Sequence, residues 1–487
     1  MTAGQFVTHD LVRRGHGLSQ TSMPDSLEKL HEDILLRILV LTDIYTVLTL
    51  SQINSFFHAI ASTKQLWVFL IRDLFLRGLI DIPSDEVFTL STDELVAEVK
   101  RAVLGPRTWS SSSSTTPTLI RQFTVPLEVS RVAHASLLPG GRYIMVRLTK
   151  WFEVSESLEC WNVSTGRFVW SWNRPDFGIL EFAFDTRPGS KLTVALNIYR
   201  LSQAYSEVLI LEVNLESGHS REITRFSGKH IYETQIAGDY LCCNCSWKNN
   251  TWLPLLVNHR TEQYQYIAIE ECPTTPVLNL HLVPGHIVVI NPQPVPISVR
   301  VYAISSLWRP LSEFNPQNMT HELALTPTAL FPVVGGAPIS RGIPHHRKER
   351  VFLVESLLRR HTYLLRGFDM VSLHQDPHVP NNITTISTQR LEFSEGRTSA
   401  CTPVSTLVQS PFIGEVEAMN MYFSRAGYAV DGKSSSGNRV YVFQPEDCTA
   451  RGIELDVGGH RAQHVFLGHN GGLVVLHESG AGIFYYD

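Results

Sequence analysis

Residues 133–146 read Ala133-His134-Ala135-Ser136-Leu137-Leu138-Pro139-Gly140-Gly141-Arg142-Tyr143-Ile144-Met145-Val146. Two short apolar runs flank a Pro-Gly-Gly turn, the signature of paired antiparallel strands. The chain then continues with Ser157-Leu158-Glu159-Cys160-Trp161-Asn162-Val163, the turn Ser164-Thr165-Gly166, and Arg167-Phe168-Val169-Trp170. The unit is therefore strand, Gly turn, strand, strand, Gly turn, strand.

Its first turn returns downstream. Ala237-Gly238-Asp239-Tyr240, Pro284-Gly285-His286-Ile287-Val288, Arg425-Ala426-Gly427-Tyr428 and Asn470-Gly471-Gly472-Leu473 have the same form. Gly141 to Gly238 is 97 residues, Gly238 to Gly285 is 47, and Gly427 to Gly472 is 45. A period in the mid-forties suits a four-stranded propeller blade. Gly285 to Gly427, at 142 residues, reads as about three such periods through an irregular middle. Residues 118–487 are thus expected to form a β-propeller of seven blades, with six or eight as alternatives.

Upstream the period changes. Leu30, Ile34, Leu35, Ile38 and Leu39 recur at helical spacing, opposite Glu28, Lys29, Glu32 and Arg37. The pattern resumes through Val47, Leu50, Ile53, Phe57 and Ile60, and again through Leu66, Trp67, Leu70, Ile71, Leu74 and Phe75. Ser91-Thr92-Asp93-Glu94 has the form of a capping box, opening a helix that Gly105-Pro106 stops. Ser110 to Pro117 has too little apolar surface to pack and reads as a tether. The expected organisation is a disordered tail over 1–22, helices over 23–79, a helical connector over 80–109, a linker over 110–117, and the propeller. The fold class is α plus all-β, in separate domains.

The first helical block resembles an F-box. Leu30-His31-Glu32-Asp33-Ile34-Leu35-Leu36-Arg37-Ile38-Leu39 matches the opening of that motif, Leu50-Ser51-Gln52-Ile53-Asn54-Ser55-Phe56-Phe57 its middle, and Leu66-Trp67 its close. His31 stands where Pro is usual, Asp33 for Glu, and Thr46 where an acidic cap is common. The downstream part is similar to the irregular propellers of many fungal F-box proteins. The resemblance implies a substrate receptor of a Skp–cullin–F-box ubiquitin ligase, docking on a Skp-family adaptor and through it on a cullin–RING ligase. Its implied adaptor-binding residues are Leu30, His31, Ile34, Leu35, Ile38, Leu39, Val47, Ile53, Phe57 and Trp67. A small helical module buries little on its own, so some of these side chains have reason to await a partner. The plainer alternative makes them the private core of an ordinary helical bundle.

Composition narrows the rest. Hydrophobic residues form 43% of the 487, which excludes a mainly disordered chain. A net charge of −5 lacks the basic surplus of a general nucleic-acid or anionic-membrane binder. The N-terminus has no apolar signal region, and no run is long enough to span a bilayer. Seven cysteines in so long a chain do not make a disulfide framework. A reducing cytoplasmic or nuclear setting follows as the expectation.

Cys242-Cys243-x-Cys245 invites a metal reading, but adjacent strand residues point to opposite faces. Buried strand cysteines are expected, with no metal or cofactor. Arg341, His345, His346, Arg347, Lys348 and Arg350, with Arg359, Arg360 and His361 beyond, form the strongest positive run. It reads first as a solvated loop between blades; among substrate-binding guesses it is still the best available, suited to an acidic or phosphorylated segment of an unidentified protein. Trp161, Trp170, Trp172 and Trp252, with Trp151 and Trp247, read mainly as blade packing, and Trp161-Asn162 only partly resembles a WD-repeat pair. No nucleophile elbow, phosphate loop or zinc-protease motif occurs. His134, His281, His374 and His464 share no spacing, so a propeller hydrolase is the remotest alternative. A non-catalytic scaffold unconnected to ubiquitination is the nearer one.

Overall fold

The computed structural model describes residues 30–42, 44–76, 80, 86–109, 116–127, 132–149, 156–187, 191–200, 205–246, 252–267, 279–283, 285–291, 298–304, 308–313, 329–332, 348–355, 365–375, 384–394, 397–403, 408–410, 421–423, 429–431, 439–443, 453–457, 464–468, 471–477 and 480–486. Expectations for the tail over 1–22, for 110–115 of the linker, and for Trp151, Trp247 and Gly427 fall outside these residues.

Five helices come first: α1 (Glu32–Val40), α2 (Ile44–Leu50), α3 (Ser55–Ala61), α4 (Lys64–Leu76) and α5 (Thr92–Leu104). His31 caps α1 itself. Its backbone sits at φ −62°, the value a proline would impose, and its side chain accepts the Asp33 amide. Glu32 and Asp33 then complement the positive helix end. Thr46 lies inside α2 rather than capping it. Asn54 caps α3 by accepting the Phe57 amide at 2.9 Å. The Ser91–Glu94 capping box is formed as the sequence predicts, and α5 ends at Gly105 with φ +80°. The expected division between helices and connector disappears in the packing. Leu95, Val99 and Ala102 of α5 join Leu35, Leu39, Val47, Trp67 and Ile71 in one core.

The described strands form seven antiparallel sheets. The first contains Val132–Leu137, Tyr143–Leu148, Ser157–Asn162 and Arg167–Asn173, in that order, as read from the sequence. The second contains Phe177–Arg187, Lys191–Arg200, Tyr205–Asn214 and Ser220–Lys229. The third has Ile231–Ala237, Tyr240–Ser246, Trp252–Asn258 and Gln263–Tyr266, with Arg309–Pro310 added at its edge. Asn279–Val283, His286–Asn291, Ser298–Ala303 and Ala329–Pro332 form the fourth. Gly141, Gly238 and Gly285 all fall between the first two strands of their sheets, at φ of +82°, +58° and +72°. A side chain would strain that turn.

Among the described residues, the expected three periods between Gly285 and Gly427 do not materialise. One sheet fills the interval between the fourth and the sixth: Lys348–Glu355, Leu365–Gln375, Thr384–Ser394 and Arg397–Pro403, with Val408–Ser410 also on the third of these strands. Two of its strands are 11 residues long, yet its strands together are no longer than those of the second sheet, so the extra chain of this interval lies outside the described strands. The sixth sheet runs from Met421–Phe423 to Ile453–Asp456. The seventh takes His464–Leu467, Leu473–His477 and Gly480–Tyr486, and its outer strand is Leu119–Val125, from the other end of the β region.

Each apolar core lies between consecutive sheets. One joins Met145 and Leu158 of the first sheet to Val194 and Leu209 of the second. Others join second to third, third to fourth, sixth to seventh, and seventh to first. Because both faces of such a sheet are covered, strands become continuous apolar runs. Leu192 to Ile198 is buried without a break.

The helical and β parts are joined by packing. Trp109 inserts into the core between sixth and seventh sheets, its ring 5.7 Å from that of Tyr486. Arg121 on the closing strand meets Glu98 of α5 at 3.0 Å. The residues just before the expected tether are thus built into the propeller.

Candidate docking surface

Helix α1 presents apolar side chains in two directions. Leu35 and Leu39, both 4% exposed, face α3, α4 and the bundle core. Ile34 and Ile38, spaced by four, stand on the adjoining face, with Leu30 just before the helix and Leu41 at its C-cap. Ile34 is 48% exposed and Ile38 40%. Full burial of one such side chain is worth about 1.5–3 kcal/mol, so this row is a store of unused association energy. Polar neighbours frame it: Glu32, Asp33 and Arg37 are exposed, with His31 Nδ1 3.4 Å from Asp33 Oδ2.

The ten residues expected to bind an adaptor therefore divide. Leu30, His31, Ile34, Ile38 and Ile53 are exposed, and Phe57 is half-buried. Leu35, Leu39, Val47 and Trp67 are sealed in the module's own core, with the Trp67 indole donating to the Ala61 carbonyl at 2.6 Å. Those four hold the helices together and offer nothing to a partner's surface. Leu41, Phe56, Phe69 and Phe88 are exposed apolar residues that the motif did not single out. Of these, only Leu41 had a sequence signal, as the next position in the row of Leu30, Ile34 and Ile38.

The basic run divides too. Arg341, His345, His346 and Arg347 lie outside the described residues, as do Arg359, Arg360 and His361. Lys348 and Arg350 are not in a loop: they open Lys348–Glu355, paired to Gln375 and Leu373. Ladder hydrogen bonding fixes that backbone, so the expected contiguous loop ends by residue 347.

The remaining groups resolve as packing. Cys242 joins the core between third and fourth sheets, while Cys243 and Cys245 enter the core on the opposite face. Burial pushes the Cys160 thiol up to about 12, away from thiolate chemistry. Trp170, Trp172 and Trp252 are buried, and Trp161 is half-buried against Phe168. Asn162 accepts the Thr165 amide at 3.0 Å, closing a turn. His134 is wedged between Phe182 and Phe466. Burial, with Arg147 nearby, holds its pKa down at about 4. Burial does the same to His281. Among the described residues, no three His, Cys, Asp or Glu side chains group as metal ligands would.

No family model matches this chain, and no curated protein matches it. Solved structures match it at low similarity, among them two propeller or WD40 domains. The Dos1 propeller is 10% identical over 73% of this chain and 77% of its own, with a TM-score of 0.36. The C-terminal WD40 domain of Sif2 is 10% identical over 77% and 99%, at 0.39. Hydrazine synthase of Kuenenia stuttgartiensis is 12% identical over 77% and 99%, at 0.41. Likeness at these values transfers no activity. The class rests on the strand order, the inter-sheet cores and the closing strand: this is a β-propeller with a helical module at its N-terminal side.

Proposed function

We propose that the chain is a non-catalytic adaptor: the helical module is an F-box that docks on a Skp-family adaptor, and a seven-bladed propeller holds a target protein for a cullin–RING ubiquitin ligase. The observation that carries this reading is the division of α1. Leu35 and Leu39 complete the module's core, while Ile34 and Ile38 stay exposed on the adjoining face, with exposed Leu30 just before the helix. An amphipathic helix with a second apolar row has the form of a groove-binding element. The motif resemblance supplies the identity of the partner. The propeller suits target capture because its loops can vary on a rigid frame, and holding a target beside a transferring enzyme works through effective concentration. The working compartment in this reading is the cytoplasm or nucleus, and no nucleic acid or membrane takes part.

Co-purification tests it. The native chain should capture a Skp-family adaptor, and Ile34→Asp with Ile38→Asp should lose it while circular dichroism stays native. Both positions are exposed, so the change spares the core. Unchanged capture by the double variant would contradict the docking role.

One observation favours a second reading. Trp109 and the Glu98–Arg121 contact tie the helices into the closing sheet, as expected of a helical accessory to a protein-interaction propeller. In that case no adaptor is captured, and removal of residues 1–109 destabilises the β part.

A further inference from the structure

The first strands of neighbouring sheets approach one another: Phe177–Arg187 lies against Ile231–Ala237, which lies against Asn279–Val283. At that junction stand two carboxyl groups, Glu181 and Glu233, both largely buried. Glu181 Oε1 accepts from the Thr234 amide at 2.9 Å, the Thr234 hydroxyl at 3.2 Å and Asn197 Nδ2 at 3.2 Å. The Glu233 amide also donates to this carboxylate. Asn197 Nδ2 in turn donates to the Ile231 carbonyl at 2.7 Å, across the seam between second and third sheets. Glu233 Oε2 accepts from Asn244 Nδ2 at 2.8 Å, and Glu233 accepts the Leu280 amide of the fourth sheet. A bulge between Tyr232 and Gln235 and a φ of +54° at Glu233 turn this residue out of the regular ladder.

We propose that Glu181 and Glu233 form a proton-held latch joining the second, third and fourth sheets, closed when the pair carries one proton and loosened when that proton leaves. Burial pushes Glu181 up as well, but its four donors oppose that shift, so of the two it is the better placed to carry the charge. Glu233 has fewer donors and faces that charge, so it carries the proton. Two buried carboxylates without a cation between them repel strongly. Among the described residues, neither makes an ion pair.

Burial pushes the Cys242 and Cys243 thiols up, and His281 lies at about 4. Asp185 accepts the Gly238 amide. Glu207 pairs with Arg225, and Glu212 with Arg221 and Lys191. Arg200 stacks on Phe177. Burial and the Glu181 charge push Glu233 from 4.5 up to about 8. A raised carboxyl stabilises the fold fully below 4.5, and that stabilisation is lost as pH rises through about 8.

The test is denaturant unfolding of the full chain across that interval, for the native protein, Glu233→Gln and Glu181→Gln. The native midpoint should fall as pH rises, and Glu233→Gln, a fixed mimic of the protonated acid, should flatten most of the fall. Glu181→Gln should move the remaining fall to lower pH. Amide exchange on the native chain, corrected for intrinsic rates, should show Ile231–Ala237 losing protection first as pH passes 8. This last measurement decides the matter even if a variant fails to fold. A native slope retained in Glu233→Gln, or protection at Ile231–Ala237 indifferent to pH, would overturn the latch.

Discussion

Helix α1 and the second strand of the second sheet have similar apolar content and opposite fates. Along Lys191–Arg200, every residue from Leu192 to Ile198 is buried, because sheets cover both faces. Along α1, one apolar row seals the bundle and the other is left to solvent at Ile34 and Ile38. That strand has no apolar surface left to offer, whereas α1 keeps part of its own exposed, surface that an association could bury.

Four experiments can break or sharpen this contrast. The largest effect is expected from Leu39→Asp. It places a charge in the helical core, costing several kcal/mol. Hydrogen exchange should show α1 to α5 melting while Leu192–Ile198 stays protected; melting of both together would erase the distinction between the parts. Trp109→Ala removes the plug shared with Tyr486, at a cost of about 3–5 kcal/mol. Calorimetry should then resolve two unfolding transitions instead of one.

Acidification should come next and act first on the β part. His134 and His281 are held down at about 4 from an ordinary value of 6.5, so the fold favours their neutral forms. Their stabilisation is present above 6.5 and is lost as pH falls through about 4, about 3 kcal/mol for each. The described helical histidines, His31 and His58, are exposed, so circular dichroism in this range should report strand loss before helix loss. The smallest effect belongs to Arg121→Gln, which leaves the contact between Glu98 and Arg101 within α5 in place. Arg121 is about half exposed, so losing this pair costs about 0–1 kcal/mol. A shift in melting temperature well beyond that would mean the ion pair, rather than Trp109, holds the two parts together.

What was legible in the sequence had local causes. The four strands of the first sheet follow from apolar runs between Gly turns, and the Ser91–Glu94 box from one hydrogen-bonding pattern. The opposite faces of Cys242 and Cys243 follow from the strand period of two. What escaped the sequence depended on distance. The pairing of Leu119–Val125 with Gly480–Tyr486 joins segments far apart in the chain, and nothing near either one announces the other. Trp109 follows a helix stop and belongs to no period, so its place in a β core had no local mark. The interval from Gly285 to Gly427 holds more chain than its described strands use, and a repeat count read that excess as another unit. The candidate site was half legible. Helical spacing placed Leu30, Ile34, Leu35, Ile38 and Leu39 on one broad apolar arc. Only the packing of α3 and α4 decides which half of that arc is core.

The central claim is that the outer row of α1 is finished by another protein. Calorimetric titration of the purified full chain with a Skp-family adaptor measures this directly. A saturable one-to-one complex is predicted, with a negative heat-capacity change from apolar burial, weakened about 100-fold or more when both isoleucines become Asp. No binding by the native chain, or equal binding by the Ile34→Asp/Ile38→Asp protein, would contradict it.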